Sequence, residues 1–235
     1  MIEIVILGVV ACGLAIGIQS SRAERARKKE FQAFVARHEW SQTPTHPEVG
    51  LLDRSNRGWE FFGQTRQGID WEVYLLTHDD SPGELCFRAG NLKLPKLELT
   101  VGPKTDVSKL KAALPQFESA ANTFLGKIAM SMAEKFCLRM GATAGDLLDF
   151  HKVAEEKTLG SSDFQSHYTV LTRGTLPIET VLRPEAQKLI DSWCDRQFRL
   201  SWGTQGLFFY IEAKNARVFD LCPDVVRLGE ILTGA

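Results

Sequence analysis

Few residues of this chain stand at spacings that could do chemistry together. His151 and Glu155 lie four positions apart, so on one helix face they could share a metal ion or pass a proton. No third ligand accompanies them, and a solvated electrostatic pair accounts for them equally well. His78-Asp79-Asp80 has cation-binding residue types, but Ser81-Pro82-Gly83 follows it, which is turn chemistry. Ser162, Asp163 and His167 are the residue types of a catalytic triad. Closeness in sequence is not triad geometry, and a polar loop entering a strand is the expected arrangement. The chain lacks G-x-x-x-x-G-K-[ST], G-x-G-x-x-G, G-x-S-x-G, H-E-x-x-H and C-x-x-C. The expectation is therefore no catalytic residue, no cofactor and no metal, and a binding protein in preference to an enzyme.

Five tryptophans and fourteen phenylalanines raise the question of ligand stacking. Trp193 falls on an apolar helical stripe, and Trp202 is in phase with Phe198 and Leu200, so both read as core. Trp59 and Trp71 flank a hairpin, where they either face each other or line a groove, with core favoured.

The elements that position these groups read as α+β: an N-terminal transmembrane helix, then a mixed domain of antiparallel hairpins and packed helices. Strands are expected at residues 59–66 and 69–77, joined at Gln67-Gly68, and at 84–89 and 92–101, with Pro95 marking an edge or bulge. Asp79 to Gly83 reads as a turn. Asp106 caps a helix bearing Val107, Leu110 and Leu114 that ends at Pro115. Phe117, Ala121, Phe124, Ile128, Met132 and Phe136 keep helical spacing up to a stop at Gly141. A short helix at 146–156, a loop at 160–163 and a strand at 167–172 follow. Pro184 opens a helix with Ala186, Leu189, Ile190, Trp193 and Cys194 on one face. A hairpin over Gly203-Thr204-Gln205-Gly206 and a closing helix after Pro223, with Val225, Leu228 and Leu232 inward, complete the chain. The organisation expected is an anchor at 1–21, a basic juxtamembrane helix at 22–45, a strand region with a helical insertion at 46–160, and a β-α-β-β-α unit at 161–235 packed with it as one globule.

The anchor rests on Ile4 to Ile18, fifteen consecutive apolar or small residues. That is about 22 Å of helix against a hydrocarbon core of roughly 30 Å, so Met1, Ile2 and Gln19 to Ser21 complete the span. A cleaved signal peptide would carry positive charge before the apolar run, where only Glu3 stands, and Val9-Val10-Ala11-Cys12 comes too early for a lipoprotein box. Arg22, Arg25, Arg27, Lys28 and Lys29 follow the run, suited to anionic headgroups, and they place the large domain in the cytoplasm with the N-terminus outside. Gly13 and Gly17 form a G-x-x-x-G pair that would let two anchors approach closely. An odd count of five cysteines without paired spacing agrees with a reducing compartment. The net charge of −1 supplies no global field for nucleic acid.

Leu94-Pro-Lys-Leu-Glu-Leu99, Asp163-Phe-Gln-Ser-His-Tyr-Thr-Val170 and Thr180-Val-Leu-Arg-Pro184 together resemble an order of elements in uncharacterised bacterial single-pass, membrane-anchored α+β proteins. The resemblance covers the last seventy-five or so residues and the 92–101 segment, and the long helical stretch at 106–156 departs from it. It implies a bacterial inner-membrane setting and carries no activity. The function expected is a membrane-anchored binding or scaffolding domain with the bilayer and a protein as partners. The alternatives are a membrane-associated enzyme acting on lipid or nucleotide, and a domain sensing lipid or a small ligand between its strand and helical parts.

Overall fold

The computed structural model describes residues 29, 33, 36–37, 57–65, 67–78, 81–112, 115, 141–213 and 218–234. The chain divides into two compact units, Met1–Gln42 and Thr43–Ala235. In the first, Lys29, Ala33, Ala36 and Arg37 are helical and exposed. The apolar run, with Gly13 and Gly17, and the flanking Arg22, Arg25, Arg27 and Lys28 lie outside the described residues. Among the described residues no helix is long and apolar enough to cross a membrane.

The second unit is a mixed α+β fold around one eight-stranded antiparallel sheet of order β1-β2-β3-β8-β7-β4-β6-β5. Its strands are β1 (Arg57–Gln64), β2 (Asp70–His78), β3 (Ser81–Ala89), β4 (Leu99–Pro103), β5 (Glu155–Glu156), β6 (Tyr168–Thr172), β7 (Phe198–Gly203) and β8 (Gly206–Glu212). The helices are α1 (107–112), α2 (Ala144–Val153), α3 (Ser162–His167), α4 (Ile178–Val181), α5 (Pro184–Asp191) and α6 (Val218–Leu232).

Strand alternation sorts the side chains onto two faces. Across the first face runs one row of directly paired residues, Val73, Phe87, Phe209, Leu200, Val101 and Val170, all buried. Phe87 stacks on Phe209 at 4.8 Å between centroids. Helix α6 lies on this row so closely that a Cβ at Gly229 would come within 2.2 Å of Phe87 Cζ. Buried Ala186 and Ile190 of α5 also belong to the core, and the Tyr168 hydroxyl donates to the Ile190 carbonyl at 3.0 Å. On the second face, Leu171 joins Leu97, Ala142, Phe150 and Ala154, with Val107 of α1 and Leu147 of α2 packed against them.

Turn chemistry behaves as the sequence implies. Gly68 has φ +78 in the β1–β2 connection, where its N–H donates to the Thr65 carbonyl at 2.9 Å. Gly203 pairs with Gly206 across the β7–β8 hairpin.

Several expectations need correction. Residues 92–98 are not strand; β4 begins only at Leu99, and Pro95, lacking a donor, sits in the irregular approach to it. That approach is pinned to the hairpin instead: Leu94 N–H donates to Gly203 O, and Trp202 Nε1 donates to Leu92 O at 2.8 Å. Trp202 is thus only partly buried. Ser81 to Gly83 are strand, since Ser81 pairs with His78; Asp79 and Asp80 lie outside the described residues. Pro115, where the helix was expected to end, is itself helical. The 117–140 helix lies outside the described residues, and Gly141, its expected stop, has φ +68. Ser161 caps a helix where a loop was expected, so His167 ends α3 and β6 starts at Tyr168. Cys194 is exposed, because α5 ends at Asp191 and the chain turns away after buried Trp193. Helix α6 starts at Val218 and carries Pro223 inside it. Trp71 stands opposite Gly63 and its ring covers that glycine; the Trp59 side chain lies outside the described residues.

Candidate ligand-binding cavity

On the second face the β7 sequence Phe198-Arg199-Leu200-Ser201-Trp202 alternates, which turns Arg199 and Ser201 away from the aromatic core. Ser201 pairs with Phe208 on one side and Thr100 on the other, and Thr100 pairs with Leu171. One row along, Arg199 pairs with Tyr210 and Gly102 pairs with Thr169. Gly102 leaves room beside Arg199: a Cβ there would meet only Arg199 Cγ, at 3.9 Å. Asp106 caps α1 by accepting from the Lys109 N–H at 3.1 Å, which aims Val107 and Leu110 over this floor. Thr143 and Asp146 form a capping box that starts α2, and Asp146 also accepts from the Thr204 hydroxyl at 3.0 Å, tying α2 to the β7–β8 hairpin.

Between the sheet, α1 and α2 the described residues line a cavity of about 300 Å³ that is partly open. Its polar lining includes Thr100, His151, Thr169, Arg199 and Ser201, and its apolar lining includes Val107, Leu110, Leu147, Leu171 and Phe208. Thr169 is committed to a clasp, accepting from Thr105 N–H at 2.9 Å. Arg199 reaches the Tyr210 hydroxyl, yet its Nε is buried without a partner. An orphaned buried donor costs roughly 1–3 kcal/mol, and a guanidinium does not shed its charge to escape that cost. No carboxylate is among the described lining residues.

Burial holds the His151 imidazole below its ordinary value, and the nearby Lys111 ammonium lowers it further. The imidazole is therefore neutral at pH 7, with one donor and one acceptor. As pH falls, the unfolded chain takes up this proton before the folded chain does. The contribution is complete above the unfolded value near 6.5 and is lost as pH falls towards the folded one. His151→Gln should therefore lose less stability than the native chain between pH 7 and pH 5, read as urea midpoints. Identical slopes would mean that His151 is solvated as freely when folded as when unfolded.

The residues singled out by spacing are mostly dispersed. Helix α2 ends at Val153, with its C-cap Ala154 extended at ψ 143, so Glu155 stands in β5 and not one turn above His151. Glu155 meets Lys157 at 3.7 Å instead. His167 Nδ1 lies 2.9 Å from Asp191 Oδ1, so its carboxylate comes from α5 and not from Asp163. Ser162 and Asp163 are exposed at the start of α3, and no triad is assembled from them. Among the described residues no group of three or more His, Cys, Asp or Glu side chains could hold a metal ion. Burial pushes the Cys222 thiol up to about 12, which removes it as a nucleophile. Arg199, Thr100 and Gly102 escaped the reading by spacing; the one signal that could have found them is the polar phase of β7 and β4.

The class defined is thus a mixed α+β domain with a half-polar cavity on the second face of an antiparallel sheet. No protein-family model, curated protein or solved structure matches the chain.

Proposed function

We propose that the chain is a binding domain, held at a membrane by residues 1–21, that takes a small molecule between its sheet and helices α1 and α2. The observation that carries this reading is the cavity itself. It joins an apolar wall to a buried guanidinium Nε that has no partner in the protein, the combination of apolar lining and few placed polar groups that suits a small-molecule site. The membrane part is supported by the apolar run at Ile4 to Ile18 and the basic flank from Arg22 to Lys29. Gly13 and Gly17 would allow two anchors to pair.

The test extracts the full-length protein from membranes in mild detergent and records native mass spectra. Wild type should carry a bound small molecule. Gly102→Leu should lose it while keeping its circular dichroism, because the first added carbon fits and the rest enters the cavity. A stoichiometric protein partner with no small molecule in any preparation would favour a scaffold and sink the ligand reading. Recovery of the protein in the soluble fraction would overturn the anchor.

A further inference from the structure

We infer that the ligand of this cavity is a single-headed anion with an apolar body, a carboxylate whose head is held by Arg199. The inference rests on the ligand-binding reading above and adds the chemical class. Three observations carry it. Arg199 is the lining's only group with a fixed charge among the described residues; no described carboxylate is in the lining, and Glu84 stands outside it near the Tyr210 hydroxyl. Its Nε is buried and unpaired, although its guanidinium also reaches the Tyr210 hydroxyl. The Thr100 hydroxyl lies on the same floor, and the half-buried His151 ring faces it from α2.

Charge count narrows the class. One fixed positive charge beside a neutral imidazole matches one negative charge, whereas a phosphate monoester would bring close to two. The guanidinium fork suits the planar, two-oxygen carboxylate, and hydroxyl or imidazole N–H donors add hydrogen bonds without further charge. A cavity of about 300 Å³ lies at the small end of the range of small-molecule sites. The apolar part would lie along Val107, Leu110, Leu147 and Phe208.

The experiment titrates octanoate and its neutral isostere octanamide into the full-length protein in nanodiscs of zwitterionic lipid, with Nile red as an uncharged cavity probe. Wild type should bind octanoate roughly ten- to a hundredfold more tightly than octanamide, the ratio expected for a charge-assisted hydrogen bond. Arg199→Met should reduce octanoate to the level of octanamide and leave octanamide unchanged, and Arg199→Lys should restore part of the preference. The wild-type comparison decides the matter even if Arg199→Met fails to fold. Equal binding of both compounds in wild type, or Nile red binding lost in Gly102→Leu with no octanoate binding, would overturn the anion assignment and leave the cavity reading standing. If none of the three probes binds wild type, or binding survives Gly102→Leu undiminished, both readings fall.

Discussion

Phe87→Ala should lower the stability of the domain by about 3–5 kcal/mol, which is a fall in melting temperature of roughly 6–20 °C for a chain of this size. Phe87 is fully buried in the row that crosses the first face, between Val73 and Phe209. It stacks on Phe209, lies 6.2 Å from the Trp71 ring, and receives α6 directly at Gly229. Three elements therefore lose contacts at once, and the close approach at Gly229 leaves no neighbouring side chain there to collapse into the hole. Differential scanning fluorimetry on the full-length protein checks the value. A shift of under about 2 °C, below the smallest change expected for a large core truncation, would mean that α6 does not seat on the sheet as described. Gly229→Ala is the converse test, since overfilling the same contact should cost about 1–3 kcal/mol.

The second large effect is expected at Gly206. It holds φ +96, where L-residues are strained, and an added Cβ would lie 2.3 Å from the Ala89 carbonyl oxygen. The dihedral cost of about 1–2 kcal/mol and a steric cost of about 1–3 kcal/mol both apply to Gly206→Ala. Gly174 separates the two. It has φ +86, and a Cβ added there would meet nothing within 4 Å, so Gly174→Ala should show the dihedral cost alone. Equal losses from the two substitutions, in urea denaturation, would mean that β8 does not pass so close to the end of β3.

Local signals were readable wherever the deciding interaction closes within a few residues. The β1–β2 turn at Gly68, the Gly203–Gly206 hairpin, the Asp106 cap and Pro184 at the start of α5 all follow from the residue's own dihedral preference or a hydrogen bond within one turn. Phe198 and Leu200 read as core and are buried in the first face, but Arg199 and Ser201 in the opposite phase were not singled out. Where a non-local partner competes, the local reading failed. The 92–98 segment has strand-like apolar residues, yet Gly203, Trp202 and Arg173 hold it as an irregular run through Leu94, Glu98 and Leu97. His151 and Glu155 have helical spacing, yet Glu156 pairs with Leu171 and draws the segment into β5.

Sequence by itself determined the chemistry available, the strand and helix faces, and the antiparallel character that short turns impose. Tertiary structure alone decided that β8 inserts between β3 and β7 and that β4 lies between β7 and β6. That order brings Arg199, Gly102 and Thr100 onto one floor beneath His151, from segments far apart in the chain. No period or motif encodes such a meeting, because it is fixed by many weak apolar contacts between distant strands. Their sum selects one sheet order, although no single contact specifies it.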